Sequence, residues 1–420
     1  MKLWIFHHYA TMPAFNGFIR PYKFAKYLCS KGVDTTIFAS SYQHFSGDNL
    51  ITDRRSKRIE ITDNAKFVFI NTPPYSLSKA ARVKNMIVFY NGLLNVTKEF
   101  DRPDIIIASS PHPLTMLAGI KIAKKYNVPC ICEVRDLWPE AIFYVSNVKP
   151  NSILGKVLTY GEHWIYHNSD ALIFTKEGDT DYLREHKWLT CQGGDIALSK
   201  CHYINNGVDI DEYNEQIKKY ILHDSCLEDD GTFKVIYTGT IRPVNNVSNV
   251  IETAKLLRAE KDIKFLIYGE GSQKAYLERL AADEGIENVA FKGFVERKFV
   301  PYILSKSSVN LLNYSSSRYN WSRGNSSNKL FEYMASGKPI IATMKTGYSI
   351  IDKYGCGVEL DSDAPQLLAD AILKVKNMPK AKYNEICINA ANGAKNFDYK
   401  ALSKKLMDVI DETLMRYKQK

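Results

Sequence analysis

The sequence predicts an α/β protein made of two successive doubly wound units, each a parallel sheet covered by helices. Three observations carry that expectation. Apolar strand-like runs alternate with helix-length amphipathic segments, the series restarts after a break near residue 233, and 420 residues exceed what one ordinary core encloses.

In chain order, KLWIFHHYA, DTTIFAS, KFVFINTP, DIIIASS, PCICEVRD and ALIFTKE read as strands, with HYINN as a seventh. Helical patterns such as RPYKFAKYLCSKG and HPLTMLAGIKIAKKYN lie between them. The second series is FKVIYTG, KFLIYGEG, VAFKGF, VNLLNY, KPIIAT and GVEL. The expected domains are 1–205 and 206–420. The basic amphipathic segment at about 398–420 can pack across either unit.

Composition narrows the class. Apolar residues make up 45% and charged residues 24%, the balance of a soluble globular protein. No run of about 18 apolar residues is present, and the N-terminal MKLWIFHHYATMP turns polar too early for a signal peptide, so a cytoplasmic protein is expected. The eight cysteines have no CxxC pair and no matching histidine spacing, which points away from zinc sites and disulfide frameworks.

The net charge of +10 is uneven: residues 1–100 hold 14 Lys/Arg against 6 Asp/Glu. Aromatic and basic residues interleave in RPYKFAKYL (20–28) and SLSKAARVKNMIVFYNGLL (76–94), a composition suited either to a membrane interface or to a solvated helix face. No nucleic-acid-binding motif accompanies the charge, so no nucleic-acid partner is expected.

In doubly wound sheets, ligands bind outside the carboxyl ends of the strands. Four strand ends have the composition of ligand loops. In HHYATMPAFNGFIRPYKFA, Gly17 can admit a close backbone approach and Arg20 enters the next helix. In IIIASSPHPLTM, His112 sits between two prolines at a helix start, a place for a ligand-facing group or a cap. EVRDLWPEAI crowds Glu133, Arg135, Asp136 and Glu140 together, either as an ion-pair network or as an acid/base site. In VIYTGTIRPVNN, Gly239 closes a strand and Arg242 can grip phosphate oxygens, with Asn245 and Asn246 as further donors.

A fifth stretch, RGNSSNKLFEYMASGKPII (323–341), has helix punctuation at both ends. Asn325, Ser326 and Ser327 suit the N-cap, Gly337 the C′ position, and Pro339 stops continuation. Such a helix start offers free N–H groups and a positive dipole end to an anion, with Asn328 and Lys329 beside it. Glu332, a turn further in, can accept hydrogen bonds from paired sugar hydroxyls. A phosphate at the helix start and a ribose at the glutamate describe a nucleotide.

Taken together, these stretches resemble glycosyltransferase family 4, the retaining nucleotide-sugar transferases of GT-B fold, which bind substrate in a cleft between two Rossmann-like domains. INNGVDIDEY (204–213) is similar to the family's domain-crossing motif and YGEGSQKAYLERLAADEGIENVAFKGFV (268–295) to its uracil-side region, which brings in Phe294 and Val295. SSPHP, EVRDLWPE and SNKLFEYMASGKP look most like the bacterial O-antigen and capsule branch with fucosaminyltransferase-like members.

The resemblance implies an N-terminal acceptor domain, a C-terminal donor domain and transfer from a UDP-linked sugar, N-acetylated amino sugars included. The acceptor it implies is a polyprenyl-diphosphate-linked saccharide at the cytoplasmic face of the membrane. It makes Glu332 the ribose ligand, His112 the contact to the donor sugar, Gly17 a neighbour of the donor phosphates, and Arg242 and Lys329 the cations sharing the diphosphate charge. Asp136 joins His112 as a candidate catalytic group. Two departures stand out. The first of the family's two glutamates would fall at Gly324, and the usual phosphate-site Arg and Lys positions hold Thr240 and Asn245.

No cofactor or metal is expected. Asp361-Ser362-Asp363 and Asp209-Ile210-Asp211 look like metal-binding acid pairs but fit ordinary acids after a strand or at a domain crossing. Two other function classes compete: a nucleotide-sugar epimerase or hydrolase on the same scaffold, and a non-catalytic binder of anionic surfaces.

Overall fold

The structure is a computed structural model, and it describes residues 1–15, 17–75, 78–146 and 148–419. Ser76 and Leu77, which open the second basic-aromatic stretch, and Asn16 in the first ligand loop lie outside the described residues. The chain divides into one unit of Met1–Asn205 with Tyr399–Lys420 and a second of Asn206–Asp398.

The first unit holds strands β1 (Lys2–His7), β2 (Asp34–Ser40), β3 (Lys57–Thr62), β4 (Ala65–Ile70), β5 (Ile105–Ser109), β6 (Cys130–Val134), β7 (Ala171–Phe174) and β8 (Cys201–Tyr203). They form one sheet in the order β3-β4-β2-β1-β5-β6-β7-β8. All pairs are parallel except β3 with β4. The central strands are buried on both faces and read as unbroken runs of Ile, Val, Phe and Ala, as helix-covered parallel strands do.

β3 is the strand that the sequence pattern did not indicate. It is the sheet's edge, its Arg58 and Glu60 point one way and Ile59 and Ile61 the other, and both isoleucines are exposed. Without a buried face it leaves no hydrophobic signature. Charged edges of this kind also resist further strand pairing.

The C-terminal helix Tyr399–Lys418 completes this first unit. Leu402, Leu406, Val409 and Ile410 join Leu3, Ile5, Phe24 and Leu28 in one core, and Tyr399 meets Phe24 edge-on at 5.6 Å. That packing decides the open question of where the terminal helix sits.

The second unit carries β9 (Phe233–Thr238), β10 (Ile263–Tyr268), β11 (Val289–Gly293), β12 (Val309–Leu312), β13 (Ile340–Ala342) and β14 (Gly357–Glu359). The order β11-β10-β9-β12-β13-β14 is parallel throughout. In each sheet the winding direction reverses once, between β1 and β5 in the first and between β9 and β12 in the second. Those reversals are where such folds open a ligand crevice.

Two glycines after β9 and β10 are forced by backbone contact. Gly269 has φ +148°, and a Cβ on it would stand 1.8 Å from the Gly239 carbonyl oxygen. Gly239 itself has φ +139°. No larger residue fits at Gly269 without moving the Gly239 loop, so the two strand ends are built as one surface.

No helix among the described residues is long and apolar enough to cross a membrane. All eight cysteines are free, and Cys191 is the exposed one.

Candidate active site

The donor-type residues of the second unit gather around the helix Asn328–Ala335. Ser327 is its N-cap in extended backbone, and Gly337, at φ +63°, ends it as the C′ residue. Ser327 makes no side-chain cap. The turn is instead shaped by Asn325, whose Oδ1 accepts from the Ser327 N–H at 2.8 Å, and by Asn206, whose amide donates to the Ser326 carbonyl at 2.6 Å. Asn328 is exposed at the first helical position.

Tyr333, fully buried on this helix, pins it to the end of β9. Its hydroxyl accepts from the Thr238 N–H at 3.1 Å and lies 3.3 Å from the Thr238 carbonyl, so the helix register is fixed relative to Gly239.

Lys329 projects into the space that Gly239 leaves open. Its Nζ sits 4.6 Å from the ring centres of both Tyr237 and Tyr314 and 3.3 Å from the Tyr237 hydroxyl. A Cβ at Gly239 would come within 3.1 Å of that ammonium. Burial, and then the nearby Arg242 guanidinium, push Lys329 down to about 7, with Glu332 pulling weakly the other way. Arg242 is exposed, and among the described residues it has no carboxylate partner. Two cations thus face one another with a deficit of negative charge between them, an arrangement that an anion would relieve.

Glu332 is paired with Arg297 at 2.9 Å. That contact draws the segment after β11 towards the helix, including exposed Phe294 and Val295, which packs on the core. Gly239, Arg242, Lys329, Glu332 and the Phe294–Val295 segment are therefore brought together. Asn245 and Asn246, expected as ligand donors, both make contacts within the fold. Asn245 accepts from Thr240, and Asn246 donates to Asp363 at 2.8 Å. Asp361 pairs with Lys345, and Asp209 caps a helix through the Glu212 N–H, so both acid pairs have local structural roles.

Gly324 has φ +104°. A glutamate at that position would be strained, so the missing first acid is matched by a backbone that excludes it.

In the first unit, the expected residues lie at the carboxyl ends of β1, β5 and β6. His112 is the N-cap residue of the helix Pro113–Tyr126 without making a cap bond; it is 1% exposed, and its ring meets His8. Burial, then Arg82, lowers His112 to about 3, so the ring is neutral. Arg135 donates to His7 at 2.9 Å and lies over Phe18, with Asp136 beside it. Glu162, also buried, is raised to about 8 by burial and accepts from the Tyr166 and Tyr182 hydroxyls, 2.6 Å each.

One expectation for this unit fails. Arg20, expected at the ligand, is 3% exposed and fully engaged: it pairs with Glu133 at 2.9 Å and donates to the carbonyls of Ile204 and Asn205. A guanidinium buried against a carboxylate and two carbonyls is committed to the fold and not placed to grip a phosphate. Gly17 packs against the chain's own Thr11, whose Cγ2 would lie 2.7 Å from a Cβ there, so no side chain fits at this position.

Sequence reasoning missed Tyr237, Tyr314, Tyr333, Arg297 and His8. Only His8, doubled with His7 at a strand end, carried any signal.

Two parallel-sheet α/β units, each with a polar cluster at the carboxyl edge of its strands, are the GT-B architecture. Residues 218–393 match the family model described as glycosyl transferases group 1, and residues 21–212 match glycosyltransferase family 4. The chain is a glycosyltransferase that joins these two domains.

A curated relative, alpha-D-kanosaminyltransferase of Streptomyces kanamyceticus, is 26% identical over 151 residues, 35% of this chain. The match spans 37% of that relative's length. Among solved structures, sucrose-phosphate synthase from Thermosynechococcus elongatus superposes with TM-score 0.71 at 15% identity, covering 99% of this chain and 100% of that one. HepE of Anabaena in complex with UDP gives 0.67 at 14%, covering 98% and 99%. The UDP-forming alpha,alpha-trehalose-phosphate synthase from Burkholderia vietnamiensis gives 0.70 at 12%, covering 98% and 99%.

Proposed function

We propose that the protein is a retaining glycosyltransferase that moves a sugar from a UDP-linked donor held by its second unit to a polyprenyl-diphosphate-linked saccharide held by its first, in bacterial surface polysaccharide assembly. The observation that carries the donor half is the Lys329–Arg242 pair at the start of a helix whose next turn offers Glu332. Cations and free N–H groups suit a diphosphate, and the carboxylate suits ribose hydroxyls. HepE of Anabaena, solved with UDP, shares the fold.

The chemical demand is departure of the diphosphate. As the anomeric bond lengthens, negative charge grows on the leaving oxygen and positive charge on the sugar ring. Lys329, protonated on meeting the diphosphate, and Arg242 stabilise the leaving group at the helix start. A same-face attack by the acceptor hydroxyl within that ion pair gives retention without an enzymatic nucleophile.

For the acceptor half, the support is a face of the first unit. Helices Lys79–Val96, Pro113–Tyr126 and Ile153–Asn168 contribute to one core, with the second beside each of the others. Their sequences hold Lys79, Arg82, Lys84, Lys121, Lys124, Lys125 and Lys156 against a single acid, the buried Glu162. Val83, Ile87, Ile153, Leu154, Val157 and Tyr160 are exposed among these cations, Ile153 at 85% and Tyr160 at 71%. A cavity of about 320 Å³ opens there between Leu114, Leu117, Trp138, Val157 and Tyr160. Basic charge around exposed apolar side chains suits an anionic membrane. The 20–28 stretch offers little to such a face, because Arg20 to Ala25 and Leu28 are buried and only Lys26 and Tyr27 are half-buried.

The deciding experiment offers UDP-, GDP- and ADP-sugars with lipid-linked acceptors to the purified protein and follows products by mass spectrometry. A new acceptor glycoside with release of UDP is expected; an altered sugar without acceptor would mean an epimerase, and free sugar a hydrolase. Glu332→Ala is expected to weaken UDP affinity roughly tenfold to a hundredfold by calorimetry, through lost charged hydrogen bonds; unchanged affinity would remove the ribose assignment. Vesicles containing an anionic phospholipid should co-sediment the protein in low salt. A Val157→Ser/Tyr160→Ser variant should stay in the supernatant, and equal pelleting of both would disprove the membrane face.

A further inference from the structure

Buried inside the first unit is a chain of hydrogen bonds that the transferase reading leaves unused. Asn85, in the Lys79–Val96 helix, is fully buried. Its Nδ2 donates to the Pro73 carbonyl at 2.6 Å and its Oδ1 faces His8 Nε2, also at 2.6 Å. His8 Nδ1 in turn meets His112 Nε2. The remaining ring nitrogen, His112 Nδ1, is buried and has no hydrogen-bond partner among the described residues.

The protons in this chain follow from the donor and acceptor inventory of two neutral rings. A carbonyl such as Pro73's only accepts, so the amide of Asn85 presents NH₂ to it, and flipping the amide would set two oxygens against each other. Oδ1 therefore faces His8, and His8 Nε2 must carry the hydrogen. His8 is pressed between Phe89, parallel at 4.5 Å, and Tyr9, also at 4.5 Å, which holds the ring in its plane. Burial, then the neighbouring His112, keeps His8 well below its ordinary pKa, so the ring is neutral and its Nδ1 is a bare lone pair. That lone pair accepts from His112 Nε2, which must hold the hydrogen on the neutral His112 ring. The Thr115 hydroxyl, 3.5 Å from the same nitrogen, is at the limit of reach and does not change the count.

We propose that Asn85 and His8 are positioning residues that fix His112 as the Nε2–H tautomer, so that Nδ1 is an obligate hydrogen-bond acceptor for a substrate hydroxyl. A buried acceptor without a partner is unfavourable, a deficit that a bound hydroxyl removes. The arrangement sets what His112 can do. It accepts from an O–H on the sugar and cannot donate to an oxyanion or to a leaving oxygen. Selection is then against sugars lacking a hydroxyl at the contacted carbon, because they leave the lone pair buried and bare.

The assignment rests on His112 as a substrate contact for its functional meaning and on the hydrogen-bond chain alone for the tautomer, and the two are tested separately. Ring nitrogens of ¹⁵N-histidine-labelled full-length protein at pH 7.5 are read by long-range ¹H–¹⁵N correlation, with His112 assigned by its loss in His112→Gln. The expected spectrum has His112 Nδ1 unprotonated and Nε2 protonated. A protonated Nδ1, or a doubly protonated ring, in the native protein overturns the proposal.

Asn85→Leu removes the anchoring oxygen. The expected result is a mixture of His112 tautomers and a fall in kcat/KM of about tenfold, the value of one hydrogen bond. A folded Asn85→Leu protein with the native His112 signature overturns the relay. If the native tautomer is as assigned but His112→Phe leaves kcat/KM unchanged, the substrate contact is refuted and the tautomer assignment stands.

Discussion

Lys329→Met is expected to lower kcat/KM for the nucleotide-sugar donor by about 10²- to 10³-fold, the scale of losing one preorganised charge at a developing anion. The melting temperature should hold or rise. The site explains both halves. The ammonium lies between Tyr237 and Tyr314 in the space opened by Gly239, where burial and Arg242 hold it near 7. Protonating it there opposes folding, so an uncharged side chain of similar length costs the fold little. The same charge is what the diphosphate needs.

This reasoning gives a pH dependence with a definite sign. Burial and Arg242 hold Lys329 down to about 7 in the free protein, and a bound diphosphate is expected to raise it. Donor affinity is then full below about pH 7 and declines as pH rises above it, by up to roughly tenfold per unit. Calorimetry at pH 8 in buffers of different ionisation enthalpy should register proton uptake on UDP binding. Arg242→Met should move the onset of the decline to higher pH, because one of the two causes that depress Lys329 is gone. Affinity independent of pH between 6.5 and 8.5 in both proteins would separate Lys329 from the diphosphate.

What the sequence disclosed follows from what leaves a local trace. The two sheets were legible because parallel strands buried on both faces are continuous apolar runs such as DIIIASS and KFLIY. The Asn328–Ala335 helix was legible because Ser327, Gly337 and Pro339 punctuate it within a dozen residues. Contacts between distant positions were not. Arg20 and Glu133 are 113 residues apart, and a loop arginine next to a glycine reads as a phosphate ligand until its partner is known. The cage around Lys329 draws Tyr237 from the end of β9 and Tyr314 from the segment after β12, and neither tyrosine differs by composition from any other core aromatic. Gly324 shows the limit from the other side. The absence of an acid was visible, while its cause, a backbone at φ +104°, was not.

Glu133→Ala is expected to destabilise the first unit by about 3–5 kcal/mol, the cost of leaving a buried charge without its partner. The EVRDLWPE stretch permitted either an acid/base site or an ion-pair network, and Glu133 belongs to the network. It pairs with Arg20, accepts from the Ser109 hydroxyl at 2.5 Å, and is 5% exposed. Burial alone would raise its pKa, but Arg20, Arg135 and the Ser109 hydrogen bond outweigh it, so the carboxyl lies below its ordinary value. A depressed carboxylate contributes stability that is present above its unfolded pKa and lost as pH falls through the folded one. The native protein should therefore lose stability progressively below about pH 4.5, and Glu133→Ala should lose less over the same range.

For a unit of some 200 residues, 3–5 kcal/mol corresponds to a melting shift of roughly 6–20 °C. Arg20→Met in the Glu133→Ala background removes the stranded guanidinium and should recover much of the loss, whereas Arg20→Met alone should be destabilising because it strands the carboxylate. If Glu133→Ala instead melted like the native protein and lost turnover, Glu133 would be an acid/base group and the network reading would be wrong.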